Sequence, residues 1–344
     1  MAQNAVSVKP FTSVFRQSAG GVSIIAEPAN THNGSVDYLL ELTRAAAKAG
    51  ADSIKYQVFQ PDDMSVPDYE WYSVYQQIAI SHDRWRQIFA EARAAHLEML
   101  VEVFDAKAAR FCVENGVRAF KLNIADTLNM SLTEFLTQEA DVVFVSVGGS
   151  ELAEVHNVID RLHKGRADLA LNYGVQNYPT LPEYSHLAKI PLFGLHFGLP
   201  VCFADHVAGD DRLAIDLPCL AVAAGATSIE KHIVLERTSD RYDYYSSIEP
   251  PQFAELVERI REVEVCLGPQ SLALDAAELE YREKHKKCPI LRTALREGHA
   301  LSEQDVLFKR ANGKKEFTAR EDVIGRTLTM DLPENTVLRP EHLR

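Results

Sequence analysis

The sequence predicts a (β/α)8 barrel followed by a small strand-rich domain. Short apolar runs alternate with amphipathic helical stretches from residue 23 to residue 267. The alternation gives eight βα units in about 245 residues, the count and length of such a barrel. Beyond residue 287 the pattern changes to short runs broken by turn residues. A doubly wound sheet is the runner-up, but the first strand lacks the glycine-rich turn that fold uses.

The first strand, 23–27, is short and apolar, and 36–50 follows as a helix ending on Gly50 as its C-cap. A second strand spans 53–59. The polar and aromatic stretch 61–79 is too long for a minimal loop and reads as an insertion. Helix 83–96 leads to strand 98–105, helix 106–116 to strand 119–124, and helix 132–140 to strand 141–148. Helix 151–165 leads to strand 169–175, helix 182–189 to strand 200–206, and helix 212–225 to strand 228–234. Helix 251–267 closes the series.

Residues 272–287 are charged and alanine-containing, and read as a linker with some helix. Two later stretches resemble each other. Gly298 lies three residues before Leu301 and Val306 five after it; Asn335 and Leu343 stand in the same way around Leu338. This weak repeat suggests a pseudo-symmetric domain of roughly 60 residues with a thin core. The expected division is an N-terminal extension at 1–22, a barrel at 23–270, a linker at 271–287 and the small domain at 288–344.

Composition narrows the function classes. Apolar residues make up 46% and charged residues 25% of the 344, which suits an ordinary buried core. A net charge of -13 argues against nucleic acid and anionic membrane surfaces. An anionic substrate must then be met by local basic residues. Cys112, Cys202, Cys219, Cys266 and Cys288 are scattered, with no CxxC pair, which fits reduced thiols and a cytoplasmic location. Residues 1–23 lack an apolar core of signal-peptide length, and no run approaches a membrane span.

Barrel enzymes place their chemistry at the C-terminal strand ends. The candidates there are Glu27, Lys55, Gln57, Glu102, Lys121, Ser146, His206 and His232. Two strand-like runs finish on a histidine, at His206 and His232, so two imidazoles can be aimed at one point. Imidazole is the commonest protein metal ligand near neutral pH. Lys55 and Lys121 read either as lysines held by a buried carboxylate or as an ammonium pair facing an anionic ligand. Glu27 is a general base, an acceptor for a substrate hydroxyl or a structural acid.

Several motifs, in order and spacing, resemble the sialic acid synthase (N-acetylneuraminate synthase) family. They are Ile25-Ala26-Glu27 with His32-Asn33-Gly34, the run from Gly50 to Gln57, Phe104-Asp105, Phe120-Lys121, Tyr178-Pro179-Thr180, Asp205-His206 and Ile229-Glu230-Lys231-His232. Leu235-Glu236-Arg237-Thr238 with Asp243, Ser247 and Pro250 extends the last. The resemblance implies a barrel followed by a C-terminal antifreeze-like (SAF) domain. It implies condensation of phosphoenolpyruvate with an N-acylated amino-sugar aldehyde, giving a 2-keto-3-deoxy sugar acid and phosphate. A divalent metal is implied, typically manganese with magnesium or cobalt as alternatives. So is a domain-swapped homodimer, the SAF domain of one subunit covering the barrel mouth of the other. By the same resemblance His206 and His232 would be metal ligands, and Lys55, Lys121 and Ser146 phosphoenolpyruvate contacts. Gln57, Tyr178 and Asp243 would touch the sugar, with Gln176 a further substrate contact. Arg310 would be lent by the partner, and Glu27, Asp126 and Lys121 would carry the catalysis.

The chain also departs from the family pattern. A phosphate-facing serine is replaced by Ile124 and a glutamate by Asp126. Ala204 stands where a serine precedes Asp-His, and Val147 lies inside a Ser-Thr-Gly motif. Glu102 brings a carboxylate to the third strand. A neutral hydrogen bond contributes about 0.5–1.5 kcal/mol, so losing two hydroxyls weakens phosphoenolpyruvate binding unless Asn123 or Gln176 compensates. Alternatives to the leading function are a carbon–carbon bond enzyme using pyruvate or another enol, and a non-catalytic sugar-binding homologue.

Overall fold

A computed structural model of the chain describes residues 21–269 and 271–344. The expected N-terminal extension therefore lies, up to residue 20, outside the described residues. The strands are β1 (Ser23–Glu27), β2 (Ser53–Val58), β3 (Glu98–Val103), β4 (Ala119–Leu122), β5 (Val142–Ser146), β6 (Asp168–Tyr173), β7 (Val201–Asp205) and β8 (Ser228–His232). All pair in parallel with their neighbours, and β8 pairs with β1 to close the (β/α)8 barrel.

Strand alternation sorts the side chains. Ile25, Leu100, Ala119, Val142, Phe144, Ala170 and Cys202 fill the barrel interior as one apolar cluster. Their outward neighbours, such as Ile24, Val101 and Phe203, join the larger core under the helices. Further along the strands the inward positions become polar: Glu27, Lys55, Glu102, Lys121, Ser146, Asn172 and Glu230 are all buried. The apolar plug thus forms a floor beneath a charged layer.

The outer helices are α1 (Val36–Lys48), α2 (Pro61–Met64), α3 (Tyr72–Ile78), α4 (His82–Ala94), α5 (Ala106–Glu114), α6 (Met130–Glu139), α7 (Leu152–Leu162), α8 (Lys189–Phe197), α9 (Leu213–Ala223) and α10 (Pro250–Leu267). Caps set their starts: Ser35 accepts from the Tyr38 backbone N–H, and Asp105 from those of Lys107 and Ala108. The insertion expected at 61–79 is present, and one other expectation needs correction. The insertion at 61–79 folds into α2 and α3, started by Pro61 and anchored by buried Ile78. The helix expected at 182–189 is only a short turn at Pro182–Tyr184, and α8 begins where that helix was expected to end. His186 has a φ of 42°, which interrupts any continuous helix between them. No helix among the described residues is long and apolar enough to cross a membrane.

Close backbone approaches tie the strand ends β5, β6 and β7 together. A Cβ on Gly148 would lie 1.8 Å from the Gly174 carbonyl oxygen, and one on Gly174 would lie 2.3 Å from that of Ala204. Neither contact can be relieved by a flexible side chain. Gly148→Ala is therefore expected to lower unfolding stability in urea by about 1–3 kcal/mol or more. Gly194→Ala in α8, where a Cβ would meet its nearest atom at an ordinary 3.6 Å, serves as the control and should be neutral or mildly stabilising.

The chain divides into two compact units, one ending at Gly268 and one running Pro269–Arg344. In the second, α11 (Ala276–His285) precedes an antiparallel pair, β9 (Cys288–Leu291) and β10 (Val306–Lys309). The repeat is visible in three dimensions. Gly298 and Asn335 both take positive φ, 83° and 61°, and Leu301, Val306, Leu338 and Leu343 all enter one small core. The unit has less strand than expected: beyond this pair, backbone pairing among the described residues is limited to isolated bridges such as Leu295↔Leu332 and Ala300↔Thr327. Frequent turns leave runs too short for longer ladders.

Candidate active site

The charged layer at the C-terminal end of the barrel holds two lysines and three carboxylates. Lys55 Nζ donates to Glu102 Oε2 and to Glu230 Oε1, both at 2.8 Å, and lies in ion-pair contact with Glu27 Oε2 at 2.9 Å. Three carboxylates therefore surround an ammonium group that has three N–H donors. Lys121 Nζ donates to Glu230 at 2.9 and 3.2 Å and stands 3.9 Å from Glu102. Asn172 adds a donor to Glu230 Oε2 at 3.0 Å. Burial pushes the Glu230 carboxyl up, but Lys121 and Lys55 outweigh it and hold the group far below the usual carboxylate range. Glu102 shows the same balance: burial raises it, and Lys55 and then Lys121 bring it below the ordinary value. Burial disfavours the Lys121 ammonium, yet Glu230 and Glu102 raise it well above an ordinary lysine. Three carboxylates against two ammonium groups leave this layer one formal negative charge. The lysines are thus already paired, rather than presented bare to an anion.

The two histidines adjoin this layer. Their ring centroids are 5.2 Å apart, and both rings are buried. His206 Nδ1 lies 3.0 Å from the Val175 carbonyl oxygen and donates to it, which leaves Nε2 as the lone-pair nitrogen. His232 Nδ1 is buried with no hydrogen-bond partner among the described residues. Burial lowers His206 to about 3 and takes His232 well below its ordinary value, with His206 adding to the latter effect. Both are therefore neutral at pH 7, the form that ligates metal. No group of three or more His, Cys, Asp or Glu side chains able to hold a metal occurs among the described residues. This donor set suits an ion that completes its coordination with oxygen atoms from substrate or solvent.

Behind the histidines, on the outward face, Lys231 Nζ meets Asp205 Oδ2 at 2.6 Å, and both are buried. The pair sits one residue before each imidazole and joins β7 to β8 at that level. The His206 carbonyl accepts from Thr180 N and Ser246 Oγ, both at 2.8 Å. Tyr178 places its ring 4.7 Å from that of His206, centroid to centroid.

The rim is a second polar set. Asp243, at φ 58°, accepts from Asn30 N at 3.1 Å and from Asn30 Nδ2 at 3.3 Å, and burial raises its carboxyl. Asn30 Nδ2 also reaches Gln57 Oε1 at 3.3 Å. Ser146 Oγ and Asn172 Oδ1 are buried without hydrogen-bond partners among the described residues, which suits a polar ligand above β5 and β6.

A protein-family model described as the NeuB family matches residues 42–271. The chain belongs to the NeuB family. It is 26% identical to the N,N'-diacetyllegionaminic acid synthase of Legionella pneumophila, over 93% of this chain and 94% of that one. It is 25% identical to human N-acetylneuraminate-9-phosphate synthase, over 92% and 91%. Among solved structures it is similar to N-acetylneuraminic acid synthetase from Leptospira borgpetersenii in complex with citrate. That match has a TM-score of 0.71 and 26% identity, and covers 76% of this chain and 91% of that one.

In this NeuB chain the residues singled out from sequence fall into three groups. Glu27, Lys55, Glu102, Lys121, His206 and His232 converge inside the barrel mouth, with Ser146 on the adjoining strand end. Gln57, Tyr178 and Asp243 lie around the rim, and Gln176 accepts from the Tyr178 hydroxyl. The other two are not members of the lysine layer. The Asp126 carboxylate accepts from Asn129 Nδ2 at 3.0 Å, and Arg310 is an exposed residue of the second unit. Sequence reasoning assigned no role to Glu230 or Asn172, yet Glu230 is the hub of the layer. The signal was present: with His232 inward, the period of two along β8 turns Glu230 inward as well.

Proposed function

We propose that this protein condenses phosphoenolpyruvate with an N-acylated amino-sugar aldehyde, giving a sialic-acid-like 2-keto-3-deoxy sugar acid and phosphate. The observation that carries the reading is the juxtaposition of the buried lysine–carboxylate layer with two neutral imidazoles at one barrel mouth. His206 and His232 would hold a divalent ion, manganese or alternatively magnesium or cobalt. When bound, that ion supplies Lewis-acid polarisation of the aldehyde oxygen. Lys121, whose contacts to Glu230 leave an N–H to spare, meets the anionic donor together with Lys55, and Ser146 adds its unpartnered hydroxyl. The donor's C2=C3 π pair forms the new bond from C3 to the aldehyde carbon. The carbonyl π pair moves to the aldehyde oxygen, which takes a proton, and C2 is left electron-poor. Water then adds at C2 and gives up a proton, and the resulting C2 hydroxyl becomes the ketone as the C2–O bond to phosphate breaks.

Glu27, at the end of β1 beside His232, handles the proton of the attacking water, and Lys121 keeps the donor in attack geometry. Asp126 joins the catalysis through a movement of its loop toward the donor. Gln57, Gln176, Tyr178 and Asp243 form the acceptor's rim. The second unit is an antifreeze-like (SAF) domain, and in a domain-swapped homodimer its Arg310 reaches the partner's site. The five free cysteines fit a reducing cytoplasm.

The test is phosphate release measured with phosphoenolpyruvate, manganese and a panel of N-acyl amino sugars. Release that requires all three components is the expected result. No release with any acceptor at saturating metal, or turnover of pyruvate in place of phosphoenolpyruvate, overturns the reading.

A further inference from the structure

Lys55 is enclosed by carboxylates. Glu27, Glu102 and Glu230 each bring an oxygen to within 2.9 Å of its ammonium nitrogen. An incoming anion reaches this lysine only if one carboxylate gives way. The three are held unequally. Glu230 is fixed by both lysines and by Asn172. Glu27 is anchored through Oε1, which accepts from the Ala29 backbone N–H at 2.9 Å, a donor that cannot swing away, while its Oε2 meets Lys55 as an ion pair without a hydrogen bond among the described residues. Among the described residues, the hydrogen-bond partners of Glu102 apart from Lys55 are the side-chain amides of Asn123 and, at 3.4 Å, Gln57. Both amides belong to half-buried residues at the mouth, and Lys121 stands too far, at 3.9 Å, to donate. Displacing Glu102 leaves Glu27 and Glu230 against Lys55 and Lys121, a balanced set, as loss of any one of the three carboxylates would.

We infer that Glu102 is a displaceable placeholder and a specificity-determining residue. Its carboxylate occupies the anion seat on Lys55 and yields that seat to the donor's phosphate or carboxylate. The inference rests on the reading that the donor's anionic groups meet Lys55 and Lys121. A donor then binds at the cost of breaking the Glu102–Lys55 contact. Anions that bring too few contacts of their own to offset that loss are excluded, inorganic phosphate among them.

The experiment is titration calorimetry of phosphoenolpyruvate, inorganic phosphate and pyruvate into the parent protein, Glu102→Gln and Glu102→Thr. Folding is checked by circular-dichroism melting, and the threonine variant covers the case in which glutamine packs badly. Both substitutions should tighten phosphoenolpyruvate binding about tenfold or more, equivalent to about 1.4 kcal/mol. A matching gain for inorganic phosphate assigns the seat to the donor's phosphate, and one for pyruvate assigns it to the carboxylate. Unchanged or weaker phosphoenolpyruvate binding in the folded variants overturns the placeholder role; if the parent still binds phosphoenolpyruvate, the proposed function stands. Absence of phosphoenolpyruvate binding in all three proteins overturns both.

Discussion

Lys121→Met is expected to produce the largest loss of any single substitution in the barrel. The change leaves Glu27, Glu102 and Glu230 facing Lys55 alone, so the layer's formal charge moves from one negative to two. Glu230 loses both of its contacts to Lys121, at 2.9 and 3.2 Å, and stays buried. Breaking a buried pair by removing one partner costs about 3–5 kcal/mol, mostly for the charge left behind. Phosphate release should fall by about 10²–10³ or more, the range seen when one electrostatic contact to a developing charge is lost. Urea unfolding and steady-state phosphate release measure the two effects. The double variant Lys121→Met with Glu230→Gln separates them, since it removes the stranded carboxylate. It should recover part of the stability and none of the activity.

Replacing His206 and His232 by glutamine should abolish manganese binding and phosphate release while making the metal-free protein more resistant to acid. The sign follows from burial. His206 is held at about 3 in the folded protein against 6.5 when unfolded, and His232 is shifted in the same direction. Well above pH 6.5 neither state binds the proton and the pair contributes its full stability. As pH falls from there toward 3, the unfolded chain takes up protons that the folded protein refuses, and stability is lost. The melting temperature of the metal-free parent should therefore drop more steeply between about pH 7 and about pH 4 than that of the double variant. An equal drop in both would show that the imidazoles are not held neutral by the fold. Loss of manganese binding is read separately, from the free-ion signal in electron paramagnetic resonance.

The barrel was legible because its strands and helices alternate with little interruption and each strand is short and apolar. The pattern misled where a proline stood as the start of a helix. At Pro182 only a short turn forms. Thr180, just before it, is bridged to Val207 beyond the end of β7, and His186, just after it, takes a left-handed backbone conformation. The segment is thus pinned at one end by a long-range pairing and turned at the other, and neither constraint leaves a mark in local periodicity.

The candidate site was legible strand by strand but not as an assembly. Each inward residue could be named from its place at a strand end, and the period of two also offered Glu230 and Asn172. Lysines held by a buried carboxylate were one of two readings, but which carboxylates would pair with them was out of reach. Lys55 and Glu230 are separated by 175 residues and meet only because the barrel closes. Sequence distance carries no record of that closure, so the lysines' neutralisation emerged only in three dimensions. Asp126 illustrates the opposite case: its position in a short loop after β4 was clear, whereas its bond to Asn129 depends on how that loop turns.

The contacts of Lys55 also bear on how the chain is made. Its partners come from β1, β3 and β8, so the lysine draws on the barrel's first strand to be synthesised and on its last. A nascent chain that has emerged only as far as β7 holds Lys121 without its close partner Glu230. Burying that ammonium unpaired is costly, so the unfinished barrel is discouraged from closing around the wrong edge. Truncations that remove β8 are therefore expected to yield no compact barrel, as checked by limited proteolysis, even though the whole apolar floor is already present.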